Sequence, residues 1–451
     1  MNNTKKKENY KVIVVGGGPA GFAATLAAAR EGVEVLLIEK NSCVGGMATA
    51  GLLGFIGPLD NAERNSADWT RFRMDRKGEK YPENLNKGER IIGGIPAELI
   101  SILQKEGSAF VPQFGYIEVD VESIKYYMEQ LLLSAGARIQ YNSQVVSAEY
   151  EENKINMKVA QKEGLRDIAG KIVIDCTGDG DIAFYLGGDY KNGRDSDGVC
   201  QAVTLVFRIG NVKTDYLDFL PDSQLYQKVI KTARAAFESG KINFNPNGLG
   251  CISRDPSNKG NFIVNHQHTY NIDGTNTEDI TKALIKGRKQ IHELIDFYRN
   301  YVPGCEKCYL IDTAFQLGIR ETRRIIGDYI LTGEDILKAR KFNDAICRYS
   351  YYMDIHIPNS PESFKAPPVG DWYEIPYRAL LPKKLENLLI AERCISGTHE
   401  AMSSYRLMPC CMATGEAAGT AAAISLKKNS TPRNINVMEL RRILRKNGAI
   451  I

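Results

Sequence analysis

The chain has 451 residues, 43% hydrophobic and 25% charged, an ordinary globular composition with room for two or three domains. Lys and Arg total 58 against 54 Asp and Glu, and a net charge of +4 argues against a nucleic-acid surface built on bulk charge. The opening MNNTKKKENY lacks the apolar core of a signal peptide, and no run of roughly 18 apolar residues suggests a membrane helix, so a cytoplasmic protein without a membrane partner is expected. The ten cysteines are then expected as reduced thiols. Cys305 and Cys308 form a CxxC with no nearby second ligand pair, and no metal site is assigned.

The first element is VIVVGGGPAGFAATLAAAREGVEVLLIEK, Val12 to Lys40. A β-branched run enters a GxGxxG turn at Gly16, Gly18 and Gly21. An alanine-rich helix starts at Pro19 and Ala20, and a second strand ends at Glu39. The first glycine permits the turn, the second lets backbone approach a pyrophosphate, and the third lets helix and strand pack closely. Helix N-terminal amides favour the phosphate charge. Glu39 stands where a carboxylate accepts from a ribose hydroxyl, which disfavours a 2′-phosphate. This motif alone leaves FAD and NAD both open.

Further along, residues 116–150 read as helix, then strand. The turn ENK after Glu152 and the strand KIVIDCTG complete a β-meander. Val203 to Gly210 reads as a strand, and Phe262 to Thr275 as a strand and loop in which His266 and His268 share a face. A long helical pattern ends at Pro303-Gly304, and Arg320, Arg323 and Arg324 are placed on a following helix turn. No second GxGxxG is present; GLGCISR lacks the third glycine. The charge-rich residues 60–90 read as a cap loop, a partner surface or a solvated stretch.

Four segments resemble the FAD-binding parts of the glutathione reductase and fumarate reductase flavoproteins. They are NSCVGGMATAG after Lys40, the Thr177-Gly178-Asp179 turn, LENLLIAERCISGTHEA, and the glycine helix of YRLMPCCMATGEAAGTAAAISL. In the third, Glu392 stands where the relatives' strand usually ends in Ala-Gly. The sequence is similar to the FAD-dependent oxidoreductase family related to the fumarate reductase and succinate dehydrogenase flavoproteins, from about Tyr10 to Leu426. The resemblance implies an α/β fold: a Rossmann-like FAD-binding domain with parallel sheet and meander, formed by residues 1–206 and 375–451. An inserted α+β substrate or cap domain would span 207–374. It also implies FAD contacts at Gly16, Gly18, Pro19, Ala20, Gly21, Glu39, Lys40, Gly46, Met47, Val145, Thr177, Gly178, Asp179, Arg406, Met408 and Gly415. Met47-Ala48-Thr49 replace the histidine that attaches FAD covalently in some relatives, so non-covalent FAD is expected.

Flavin chemistry needs a proton-handling group and charges that hold substrate. The candidate catalytic residues are His399, His356, Arg320, Arg323 and Arg406, with an ion-paired structural role open for the arginines. Cys410 and Cys411 sit at a helix start, where a thiol pKa would be lowered, and are read as packing residues. The expected activity is hydride transfer between flavin N5 and a carbon of a small carboxylate- or hydroxyl-bearing substrate. The alternatives are a flavin monooxygenase, a disulfide reductase, or a non-catalytic flavoprotein module. The electron donor or acceptor is unspecified, and a homo-oligomer is compatible with the sequence.

Overall fold

The computed structural model describes residues 7–61, 88–110, 116–213, 224–242, 252–266, 268–357 and 365–451. Most of the 60–90 stretch and part of GLGCISR therefore lie outside the described residues.

Strand β1 (Glu8–Val15) is buried from Val12 onward, as expected of a β-branched run covered on both faces. Helix α1 (Pro19–Arg30) carries Pro19 in its first turn, where a missing N–H leaves nothing unsatisfied. Strand β2 (Val35–Ile38) returns parallel to β1, with Val12 opposite Val35. Helix α2 (Val121–Ser134) is capped by the Asp120 carboxylate, which accepts from Ser123 N. It leads to β3 (Arg138–Gln140), parallel to β2.

Strands β4 (Gln144–Glu151), β5 (Lys154–Gln161) and β6 (Gly164–Asp175) form the expected antiparallel meander. Glu152 and Asn153 make the first turn with φ of 47° and 61°, the pair of left-handed residues that a tight hairpin requires. The sheet order is β3-β2-β1-β6-β5-β4. The long β6 serves two neighbours in succession: its start pairs with β5, and Val173 to Asp175 pair parallel with the distant segment Leu388–Ile390. An α/β fold with mixed parallel sheet and meander is therefore present.

A second sheet, antiparallel and four-stranded, contains β7 (Phe207–Gly210), β8 (Ile252–Arg254), β9 (Phe262–Val264) and β10 (Tyr309–Thr313) in the order β8-β9-β7-β10. Helix α3 (Thr277–Tyr301) starts at Asn276, whose side chain accepts from Glu278 N and Asp279 N. It buries Ile291, Leu294, Ile295 and Phe297 in a separate core.

Buried apolar side chains form two clusters. The second core ends at Leu317, while Ile325, Leu331, Ile346, Tyr349 and Met353 join the first. Ala345–Tyr349 pair with Tyr373–Pro376, a ribbon that contributes Ile346, Tyr349, Tyr373 and Ile375 to the first core.

Near the C-terminal end, α4 (His399–Tyr405) is followed by α5 (Met408–Lys427). Helix α5 lies directly against α1: a Cβ on Gly415 would stand 2.1 Å from the Ala20 carbonyl oxygen, and one on Gly419 2.1 Å from that of Ala24. The glycines are thus explained by backbone-to-backbone packing. Among the described residues no helix is long and apolar enough to cross a membrane. Replacing Gly415 with Val should force these helices apart and cost about 3 kcal/mol. A clear fall in Tm by calorimetry is expected, and an unchanged Tm would refute this packing.

Candidate active site

The glycine turn is built by close contacts. Gly16 has φ of +95°, and a Cβ there would lie 2.4 Å from the Cys176 carbonyl oxygen; one on Gly21 would lie 1.7 Å from that of Gly16. Gly18 differs, because its bare face opens into a cleft, where a Cβ would meet the Glu392 Oε2 at 3.4 Å. Glu39 closes the turn from the side. Its carboxylate accepts from Gly17 N and, at 2.7 Å, from Asn41 N.

The cleft is lined by Gly16, Gly18, Pro19, Glu39, Lys40, Gly46, Met47, Val145, Thr177 and Asp179, all expected from the sequence. Glu392, noted in the sequence as a departure from the relatives' Ala-Gly, also lines it, as do Ser143, Gln144 and Arg393, which the sequence reading missed. The glycine cradle, the start of α1 and the Glu39 carboxylate fit a dinucleotide whose pyrophosphate sits at the helix N-terminus. One residue works against it. Glu392 holds φ of +90°, a conformation that costs a non-glycine residue about 1–3 kcal/mol. Its Oε2 accepts from Ala20 N at 2.9 Å.

The turn after β6 is held by Asp175. Its carboxylate accepts from Thr177 Oγ1 at 2.7 Å and from the amides of Ile182 and Ala183. Burial pushes its pKa up to about 6, against the pull of those hydrogen bonds. Gly178 lies under Arg393, whose Nη2 meets Asp179 Oδ1 at 2.6 Å.

The three arginines do not share a helix. Gly318–Ile319 and Arg323–Ile325 are short strands joined by extended chain, so neighbouring side chains diverge. Arg323 donates to Asp181 Oδ1 at 2.9 Å and to the Asp179 carbonyl, and lies 4.2 Å over the Phe184 ring. Those contacts brace the Asp179–Asp181 turn. Arg324 pairs with the buried Glu321 and donates to the Gly397 and Gly193 carbonyls. His399 Nδ1 meets the same Glu321 carboxylate at 2.8 Å. His399 is thus tied into a buried structural triad, with its Nε2 unpartnered among the described residues.

Arg320 points elsewhere, into a second cluster. Its Nη1 donates to the Ala202 carbonyl and to Thr204 Oγ1, both at 2.8 Å, and its Nη2 meets His268 Nε2 at 3.1 Å. The His268 and His356 rings are 4.7 Å apart. His356 Nε2 lies 2.9 Å from Asp354 Oδ1, and Arg406 Nη2 reaches the other Asp354 oxygen at 3.1 Å. Burial, with the Arg320 charge and the neighbouring His356 and His266, pushes the His268 pKa well down, so its imidazole is neutral and accepts from Arg320. Burial alone would raise the Asp354 carboxyl, but His356, Arg406 and Arg320 hold it below the ordinary carboxylate range. The Arg406 Nε–H is buried without a partner among the described residues.

Ile319, next to Arg320, lines the cleft with Met47 and Leu317, and Arg406 leads into the first turn of α5 at Met408. Asp354 was missed, although MDIHIP carried the signal: in extended chain, residues two apart lie on one side. His266 and His268 lie beyond the end of β9 rather than on a strand, and burial takes His266 down to about 3. Cys410 and Cys411 do pack in the core, but burial raises both thiols, opposite to the lowering expected of a helix start. Cys305 and Cys308 pack in the second core.

A sequence model described as FAD dependent oxidoreductase matches residues 11–444. The chain belongs to the FAD-dependent oxidoreductase family. FAD is its cofactor. The oxidoreductase is 30% identical over 171 residues to a digeranylgeranylglycerophospholipid reductase of Picrophilus torridus, covering 38% of this chain and 39% of that protein. It is 31% identical over 134 residues to a probable fumarate reductase of Shewanella frigidimarina, covering 29% of this chain and 20% of that one. The matched stretches thus span well under two thirds of either relative. A solved geranylgeranyl bacteriochlorophyll reductase-like protein of Thermoplasma acidophilum is similar at 14% identity and a TM-score of 0.43, covering 98% of this chain and 84% of that one.

Two outcomes are expected. Denaturing the purified oxidoreductase should release FAD into a protein-free filtrate, because Met47-Ala48-Thr49 supply no histidine for attachment; yellow colour retained on the polypeptide would contradict non-covalent binding. Asp354→Asn should cost about 3 kcal/mol at neutral pH by leaving Arg406 and His356 without their counter-ion. A carboxyl lowered in the native state stabilises above its unfolded pKa of about 4 and loses that contribution as pH falls through the native value. The difference in unfolding free energy between wild type and variant should therefore be full at pH 7 and shrink below about pH 4. A pH-independent difference would refute the charge pairing.

Proposed function

We propose that this oxidoreductase moves a hydride between FAD and a carbon of a small polar substrate carrying a carboxylate or hydroxyl group. The observation that carries the reading is the cluster around Asp354. Two guanidiniums, Arg320 and Arg406, converge with one carboxylate and a neutral His268, which leaves a net positive site one residue along the chain from Ile319 of the cleft lining. Such a site favours an anionic group, and the unpartnered Arg406 Nε–H is a donor aimed at no protein atom among the described residues. When bound, FAD supplies hydride donation or acceptance at N5.

The protein's own residues do the rest. Arg320 is fixed by Thr204 and the Ala202 carbonyl, so its guanidinium is oriented before substrate arrives. His356 is positioned by Asp354 at Nε2 and by the bond from Ala202 N to its own carbonyl, and its imidazole is the group assigned to take or give the substrate proton. His399 and Arg323, with their structural partners, take no direct part. The named relatives in both groups are reductases, which supports the reductive direction.

A screen of small carboxylates and hydroxy acids, read by anaerobic change in flavin absorbance, identifies the substrate. His356→Gln should then lower kcat by about 10²–10⁴-fold with FAD retained. Arg406→Ala should mainly raise KM for a carboxylate substrate. Full turnover in His356→Gln, together with loss of turnover in an FAD-loaded His399→Gln, would move the chemistry to the other cluster.

A further inference from the structure

We propose that Glu392 is a built-in competitor for the FAD pyrophosphate, so that cofactor binding is coupled to displacement or protonation of its carboxylate. Three features of the cleft support this. The Glu392 Oε2 accepts from Ala20 N at 2.9 Å, and this amide lies in the opening turn of α1, where a phosphate oxygen would bind. The same oxygen is the first atom facing the bare side of Gly18, the glycine whose missing side chain lets a pyrophosphate approach. The residue also keeps φ of +90°, a backbone conformation suited to glycine, and so presents its carboxylate to the cleft at a cost in strain.

A carboxylate and a pyrophosphate cannot share one N–H at close range without strong repulsion. Two routes relieve it. The side chain can leave Ala20, or it can take up a proton and become neutral. Burial already raises the Glu392 pKa, opposed by the Ala20 amide and the Arg393 charge. Adding the cofactor's negative charge raises it further, so protons are taken up on binding and affinity falls as pH rises.

The other groups facing Glu392 are Arg393 beside it, Asp179 and Cys176 on the β6 side, Cys394 beyond Arg393, and Cys410 and Cys411 in the first turn of α5. Asp179 is held by Arg393 and Thr322, and burial raises all four thiols, which keeps them neutral across the range tested. Asp175, raised to about 6, and the cleft-lining Asp181 also titrate upward of ordinary carboxylates, but both are unchanged in the Glu392 variants, so the difference between wild type and variant isolates the Glu392 contribution.

The test uses the full-length protein stripped of FAD and titrated back by flavin fluorescence between pH 5 and 8. For wild type, Kd should rise with pH, by up to about tenfold per unit where one proton is linked to binding. Glu392→Gln, which keeps the shape and removes the charge, should flatten this dependence and bind more tightly at pH 8. Glu392→Gly should do the same, and should raise the Tm of the FAD-free protein by releasing the positive-φ strain. Equal Kd values and equal pH slopes in wild type and both variants would overturn the proposal. Weaker FAD binding in Glu392→Gly with its Tm raised would also overturn it, because Glu392 would then be a ligand rather than a competitor. The titration needs no substrate, so its result is independent of the hydride-transfer reading.

Discussion

The architecture depends on one contact: α1 and α5 touch backbone to backbone. Gly415 and Gly419 of α5 leave no atom between that helix and the Ala20 and Ala24 carbonyls of α1. Close approach of two helices needs small residues on both sides, and the alanine-rich α1 supplies the other half. The contact fixes α5 relative to the glycine turn, so Arg406, just before α5, is carried to a set place relative to that turn. Residues nearly four hundred positions apart are thereby held to one geometry.

Much of the cofactor side was legible because backbone constraints write themselves into sequence. A turn as tight as that at Gly16 admits only glycine, and a carboxylate at the end of β2 has one place to go. The meander was legible for the same reason, through its hairpin turn at Glu152-Asn153. The arginine segment was not. Arg320, Arg323 and Arg324 carry helical spacing, but the chain there makes strands of two and three residues held by distant partners, such as Tyr190–Asn192 against Arg323–Ile325. Tertiary pairing overrode local pattern.

The same limit hid the cluster around Asp354. Arg320 meets His268 across 52 positions, and Arg406 meets Asp354 across another 52. Single-residue reasoning ranked His399 with His356 because both lie near cofactor segments. The structure separates them by partner: a buried Glu321–Arg324 pair for one, a partly open Asp354–Arg406 pair for the other. A histidine locked to a buried ion pair has little left to exchange, whereas one beside a positive, partly open site can trade protons with a ligand. The Glu392 departure was visible as a missing glycine, but its consequence required knowing which amide its carboxylate meets.

The double pairing of β6 also sets an order of events during synthesis. Once residue 175 has left the ribosome, β6 can find β1 and β5, yet the edge from Val173 to Asp175 stays bare until Leu388–Ile390 emerges. More than two hundred intervening residues, with a core of their own, must be made in that interval. A pairing so distant in sequence closes slowly, and an unpaired apolar strand edge is a template for the wrong partner. The nascent chain thus passes through a stage in which its central sheet is formed but open on one side, and chaperone dependence would be concentrated there.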